Sequence, residues 1–403
     1  MALIKLNTRS IPDDSVTPSK VSQNLGRRNI IINGGMQVWQ RATSATTVTN
    51  SSYGTVDRFR FWENTDGAYT AEQSTDVPSG QGFSYSTKLQ VTTADTSLTA
   101  SQYAQFAQRI EAQNLQQLCY GTSEAKTVTA SFWVKSSKTG NYSFSLYKPA
   151  SGHTAYMYYK SFTINTANTW EKKTITVSPT AGSTSFITAS GGGIDTSTSN
   201  GMEVYISLAM GSNYQGATDN SWSTNTSHYM TSSDVNWLDS TSNNFYLTGV
   251  QLEVGDTATE FEHRSFGEEL AACQRYFYNP QYNLGGSRTD YACNYSVSSG
   301  NNGWITWIVP FPVTMRANST FSHSLTNAKT VGSAAPGNGV DGWSFYVQNQ
   351  GYTGISGNGD MSTLSGDGKY QGVVGTYYVS PSSTSCSHIL VGNGCTFQFN
   401  AEL

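Results

Sequence analysis

The sequence predicts an all-β protein: a jelly-roll β-sandwich and a second, C-terminal β-sandwich tip domain, joined by a short helix and preceded by an extended N-terminal leader. Three observations predict it. Apolar and polar residues alternate with a period of two in segment after segment, as in strands with one buried face. Clusters of Gly, Asn, Asp and Ser separate those segments, and the chain holds 38 glycines. Charged residues make up only 12% of the chain, aromatics another 12%, and the net charge is −4. Disordered chains combine high net charge with few aromatics, so an ordered fold with a polar but uncharged surface is expected. A length of 403 residues suits two sizeable β domains.

Residues 1–28 carry no core of their own. Leu3 and Leu6 flank an extended piece, and Pro12-Asp13-Asp14 makes a turn. Val16 precedes Thr17-Pro18, which reads as an N-cap with proline at the first helical position. Val21 and Leu25 lie four apart on the short helix that follows, one apolar stripe. Such a helix is not stable alone. Leu3, Leu6, Val16, Val21 and Leu25 are therefore expected to anchor the chain to a partner or to copies of itself; a terminus without fixed structure is the competing reading.

Residues 29–263 are read as the jelly roll. Ile30-Ile31-Ile32 starts the first strand and Asn33-Gly34-Gly35 breaks it. Further strands are expected at Arg58–Trp62, Thr127–Val134, Tyr142–Tyr147, Thr174–Val177, Met202–Leu208 and Phe245–Leu252. Tyr103–Leu118 reads as a strand followed by one helical turn. Residues 264–277 are the connector: Ser265 and Glu268 fit a capping box, and Phe266, Leu270, Cys273 and Phe277 share one helical face. Residues 278–403 return to strands, at Trp304–Val309 (ended by Pro310-Phe311-Pro312), Trp343–Val347, Gly372–Val379 and Cys395–Phe399. No internal repeat of fixed period occurs, which disfavours a β-helix.

Several function classes are disfavoured. A pI near 5.7 with no basic cluster beyond Arg27-Arg28 argues against nucleic acid. No apolar run approaches a membrane span, and the opening residues lack a signal peptide's apolar stretch, so synthesis in the cytoplasm is expected. Five cysteines without a C-x-x-C pair (Cys119, Cys273, Cys293, Cys386, Cys395) favour free thiols, although Cys386 and Cys395 are spaced to allow a disulfide. The five histidines show no metal spacing. Gly191-Gly192-Gly193 lacks the lysine and helix of a phosphate loop and reads as a flexible hairpin. Glycoside cleavage needs two carboxylates across a sugar. Glu260 and Glu262 would share a strand face, yet pairing with Arg264 or Arg275 explains them, and Asp57, Glu63, Glu111 and Glu253 complete the set. No catalytic residue, cofactor or metal is assigned.

Sugar binding rests on aromatic faces stacked against pyranose C–H groups, flanked by amides and hydroxyls. Tyr214, Trp222, Tyr229 and Trp237, with Asn213, Gln215 and His228, concentrate such groups outside obvious strands. In the C-terminal region Trp343, Tyr352, Asn358 and Asp360 flank glycine-rich loops. These loop aromatics bind a glycan, pack between subunits, or pack incidentally within the chain. Trp39, Trp62, Trp133, Trp304 and Trp307 sit in strand patterns and are expected in the core.

Two stretches carry a resemblance. Asn29-Ile30-Ile31-Ile32-Asn33-Gly34-Gly35-Met36-Gln37-Val38-Trp39-Gln40-Arg41 with Val56-Asp57-Arg58-Phe59, and the closing Leu247–Glu262, resemble a jelly-roll module of phage tail-fibre and other virion fibre proteins. That module is itself similar to carbohydrate-binding modules of bacterial glycosidases. Glu269–Tyr276 resembles the join to a tip domain in such fibres, and Ile11–Thr17 their anchoring peptide. The resemblance implies a homotrimeric virion subunit, displayed on the phage particle, anchored through its N-terminus to tail or capsid proteins. It would meet a host-surface glycan, with residues 278–403 as the receptor-facing tip. Carbohydrate-binding jelly rolls often hold calcium near the first strand; Met36-Gln37 stands there instead, leaving Asp57 and Glu253 as weak candidates. A capsid decoration protein without a receptor and a capsule depolymerase are the competing readings.

Overall fold

The computed structural model describes residues 27–280 and, beyond them, 289–297, 303–317, 319–323, 343–347, 351–353, 361–363, 371–379, 388–391 and 397–403. Leu3, Leu6, Val16, Val21 and Leu25 lie outside the described residues, as do Cys386, Cys395, Asn358 and Asp360. The chain divides into two compact units, residues 1–265 and 266–403, so the helix groups with the second.

The first unit is a jelly-roll sandwich of two six-stranded sheets. One runs β1 (Thr46–Thr47), β3 (Ala68–Ser74), β4 (Ser86–Thr93), β12 (Asn244–Val254), β6 (Val128–Ser136), β9 (Glu171–Val177). The other runs β11 (Ser221–Ser223), β8 (Tyr156–Ile164), β7 (Gly140–Lys148), β10 (Asn200–Met210), β5 (Tyr103–Glu111), β2 (Phe59–Asn64). Neighbouring strands pair antiparallel in both sheets. The predicted alternation is the packing: Phe59 and Phe61, Phe106, Phe132, Phe144 and Leu247 fill the space between the sheets. Phe59 stacks on Phe106 at 4.9 Å and Phe132 on Phe144 at 6.0 Å. Each expected strand from Arg58 to Leu252 has a counterpart, and β5 runs into a 3-10 turn at Ala112–Leu118.

The opening segment departs from expectation. Ile30–Ile32 forms no strand, because side chains rather than a neighbouring strand satisfy most of its backbone. Ile30 N donates to Leu252 O at 2.8 Å, but Ile31 N meets Asn29 Oδ1 and Ile32 N meets Gln108 Oε1. Asn33 then folds the chain back, its Oδ1 accepting from Gln37 N and Val38 N and its Nδ2 donating to Val38 O and Asp57 O. A Cβ on Gly34 would lie 2.0 Å from Val250 O, so only glycine permits this approach to β12. The Asn29–Arg41 motif is thus a knot of side-chain-to-backbone hydrogen bonds, and the fold accounts for its asparagines and Gly34.

Two other expectations fail nearby. Residues 259–265 are not a strand; Glu262 instead accepts from Arg28 N and Asn29 N and pairs with Arg264 at 3.0 Å. Gly191-Gly192-Gly193 is no flexible hairpin but part of a tight 3-10 turn, in which a Cβ on Gly192 would meet Ile187 Cα at 2.6 Å.

In the second unit, α1 spans Phe266–Gln274, three residues shorter than expected, because Phe277–Tyr278 forms β13. Cys273 on the expected apolar face is buried, whereas Phe266 is 43% exposed. β14 (Thr289–Val297), β15 (Gly303–Pro310), β16 (Thr320–His323), β17 (Trp343–Val347), β18 (Gly351–Thr353), β19 (Met361–Thr363), β20 (Gln371–Val379), β21 (His388–Val391) and β22 (Phe397–Asn400) follow. They form a seven-stranded sheet, β18-β17-β21-β14-β15-β20-β19, and a three-stranded one, β13-β22-β16. Among the described residues no helix is long and apolar enough to cross a membrane.

Candidate ligand-binding site

The strand period that sends Phe59 and Phe61 inward sends Arg60 and Trp62 outward from β2. Across the sheet Trp62 stands opposite Gln105 and then Ser207, while Arg60 stands opposite Ala107 and then Tyr205. Arg109 and Glu203 form the next row. One outward face therefore collects Trp62, Arg60, Arg109, Glu203 and Tyr205 from three strands.

The segment between β10 and β12 folds back over the β7–β8 half of the same face. Ser143 Oγ donates to Tyr229 O at 2.5 Å, Val235 N to Asn141 O at 2.9 Å, and Tyr159 OH to Asp234 Oδ2 at 2.9 Å. Tyr229 N donates to Tyr214 O at 2.9 Å, which ties the start of this segment to its middle. The uncovered β2–β5–β10 half holds a depression of about 210 Å³ lined by Trp62, Tyr103, Gln105, Tyr205, Met210, Tyr214 and Tyr229.

Four tyrosines frame it in a chain of edge-to-face contacts. Tyr103 meets Tyr214 at 5.4 Å, Tyr214 meets Tyr229 at 6.3 Å, and Tyr229 meets Tyr205 at 5.3 Å. Such contacts hold each ring in place before any ligand arrives. Burial pushes the Tyr205 and Tyr229 phenols up from their ordinary range, assisted by the Glu203 charge. Glu203 accepts from Asn200 Nδ2 at 2.5 Å and from Tyr205 OH, and pairs with Arg109 Nε at 3.2 Å. The Arg60 guanidinium carbon sits 4.1 Å from the Trp62 ring centroid. Half-buried aromatic faces beside fixed amide, hydroxyl and guanidinium groups are the chemistry that grips a pyranose.

Of the aromatics singled out from sequence, Tyr214 and Tyr229 come together here. Trp222 and Trp237 do not, and the expectation that they offer a binding face is corrected. Trp222, 2% exposed on edge strand β11, donates Nε1–H to Ser178 O at 2.9 Å. Trp237 is fully buried against Tyr69. Trp343 and Tyr352 fall on paired strands, β17 and β18, so Tyr352 is not in a loop. Trp62, expected in the core, is half-buried at the site, and Trp133 is also half-buried, whereas Trp39 is 2% exposed. The missed signal was parity: in Arg58-Phe59-Arg60-Phe61-Trp62 the tryptophan shares a face with arginine.

Both weak calcium candidates have protein partners. Asp57 accepts from Gln40 and pairs with Arg41 at 3.2 Å; Glu253 accepts from Thr259 and Gln251. Among the described residues no group of three or more metal-ligating acidic, His or Cys side chains assembles. Cys119 is a free, exposed thiol, and Cys273 is buried.

No family model and no curated protein sequence matches the chain. Among solved structures it is similar to the enzymatically active domain of tailspike protein 4 of bacteriophage CBA120, with 13% identity and a TM-score of 0.28 over 57% of this chain and 22% of that one. The chain thus matches less than a quarter of the tailspike domain's length. It is also similar to the family 11 carbohydrate-binding module of the Clostridium thermocellum cellulase Lic26A-Cel5E, with 12% identity and a TM-score of 0.27 over 55% of this chain and 99% of that one. A third is the N-terminal CBM22-1-CBM22-2 tandem domain from Paenibacillus barcinonensis Xyn10C, with 9% identity and a TM-score of 0.24 over 90% and 99%. With TM-scores below 0.5, none of these likenesses bears on what the site does; that rests on the chain's own residues.

Proposed function

We propose that the chain is a fibre or spike subunit of a bacteriophage particle whose sandwich binds a glycan on the host surface. One observation carries the binding reading: the depression on the outer face of β2, β5 and β10, where Trp62 and four tyrosines are held ready beside Gln105. Aromatic rings fixed beside an amide are the arrangement on which a pyranose stacks. The phage reading is supported by the Asn29–Arg41 and Leu247–Glu262 motifs, which resemble those of virion fibres. In this reading residues 1–28 anchor the subunit to tail or capsid proteins and three copies assemble. Three weak sugar sites then gain avidity without new contacts.

Binding is favoured over cleavage on chemical grounds. The residues lining the depression include no carboxylate, and Glu203 beside it is engaged by Arg109, Asn200 and Tyr205. A glycosidase needs a protonated carboxyl and a second carboxylate roughly 5–9.5 Å away.

Labelled full-length chain incubated with a panel of bacteria tests the proposal. Retention on some strains, competed by their purified surface polysaccharide without release of reducing ends, is the expected result. Retention on none would leave a decoration protein, and steady release of reducing ends would make it a depolymerase. Immunogold labelling of intact particles tests the virion assignment.

A further inference from the structure

The arginines around the candidate site differ in one respect. Arg41 pairs with Asp57, and Arg109 pairs with Glu203. Arg60 has no acidic partner among the described residues. Its guanidinium lies against the rings of Trp62 and Tyr53, at 4.1 and 5.8 Å, and its Nε is buried without an acceptor. Burial and the neighbouring Arg109 charge both lower the Arg60 pKa, and the opposing Tyr53 and Glu203 effects are smaller. The sandwich thus holds, beside its aromatic depression, a partly desolvated cation with no acidic partner of its own among the described residues.

Guanidinium is the side chain whose planar fork suits a carboxylate or phosphate. Arg60 is two residues from Trp62 on the same strand face, and Ala107 alone separates it from Tyr205 across the sheet. The guanidinium lies over the Trp62 ring itself, with Arg109 at 5.5 Å from the same centroid, so a ligand in the depression that meets the indole is next to the Arg60 charge.

We propose that the site selects an anionic glycan: a pyranose stacks on Trp62 while its oxyanion substituent, a uronic acid carboxylate or a sugar phosphate, accepts hydrogen bonds from Arg60. This rests on the glycan-binding reading above and adds the ligand's charge. Trp62 and the tyrosines supply stacking, and Arg60 supplies discrimination. The bond is charge-assisted, so its loss weakens binding by about tenfold or more, and added salt weakens it too.

The test is an array of bacterial surface polysaccharides probed with the full-length chain. Each acidic member is printed beside its carboxyl-reduced form and its form dephosphorylated by aqueous hydrogen fluoride. The expected result is retention on acidic members, lost on one of the two treatments, which tells carboxylate from phosphate. Arg60→Met, which keeps an apolar stem over Trp62, should lose about tenfold or more on those members, and Arg60→Lys should recover part of it. The unfolding midpoint of each variant reports whether it folds, and the salt dependence of the wild-type chain gives the same answer without any variant. Retention on neutral members, unaffected by Arg60→Met and by salt, would overturn the anionic ligand while leaving the glycan site standing. Retention on no member would overturn both.

Discussion

Replacing Trp237 by alanine separates the roles of the loop aromatics. The indole is fully buried and meets Tyr69 edge-on at 5.6 Å and 85°. A tryptophan buries roughly 150–250 Å², which at ~25 cal/mol per Å² corresponds to about 4–6 kcal/mol. Measured Trp→Ala changes in cores cost about 3–5 kcal/mol, so the two figures agree. Domains are stable by only about 5–15 kcal/mol, and for a unit of this size the loss lowers the melting temperature by roughly 6–20 °C. Trp237→Phe should cost much less. It keeps the contact with Tyr69 and deletes an Nε1–H that is buried without an acceptor, which offsets part of the lost volume. Calorimetry of the full chain, following the transition of the first unit, reads both variants. If Trp237→Ala unfolded within about 1 kcal/mol of wild type yet lost retention on polysaccharide, the indole would be a surface ligand contact rather than a core residue, and the reasoning from burial would be refuted.

Other expectations follow from the same contacts. Gly34→Ala drives a methyl to 2.0 Å from Val250 O; detaching the opening segment from β12 should cost several kcal/mol, about 2–4, seen as a lower urea midpoint. Asp57→Asn removes a 1%-exposed carboxylate that pairs with Arg41, 7% exposed; breaking such a pair costs about 3–5 kcal/mol, again read from the midpoint at constant slope. Burial works to raise the Glu171 pKa, but the Lys173 ammonium and the groups of Thr166 and Asn165 outweigh it and hold the carboxyl at about 2 against an ordinary 4.5. The folded value lies below the unfolded one, so its stabilisation is complete above pH 4.5 and disappears as the pH falls toward 2. Glu171→Gln should lower stability at neutral pH and flatten that part of the acid profile; an unchanged profile would contradict the assignment.

How much of this was legible in the sequence depended on which interaction fixed each element. Strands such as Val128–Ser136 and Asn200–Met210 are governed by period-two burial, and the alternation of their own residues announced them. Ile30–Ile32 has the composition of a strand, but the amide side chains of Asn29 and Gln108 satisfy its backbone and no strand forms. That competition depends on partners up to 76 residues away, which a local reading does not include. The site divides the same way. Tyr214 and Tyr229 were identified by composition alone. Their separation from Trp222 and Trp237 depends on how the loop between β10 and β12 folds onto the sheet. Trp62 was in plain view, since Phe59 and Phe61 already fixed which face was inward.

Trp62→Ala, compared with wild type for retention on bacterial surface polysaccharide and for unfolding midpoint, tests the central claim most directly. Truncating an aromatic anchor of a binding site costs about 1–2 kcal/mol or more, so retention should fall by about 5-fold to 30-fold or more while the midpoint moves little. Equal retention by the two proteins would show that the outer face of β2, β5 and β10 is not where a glycan binds.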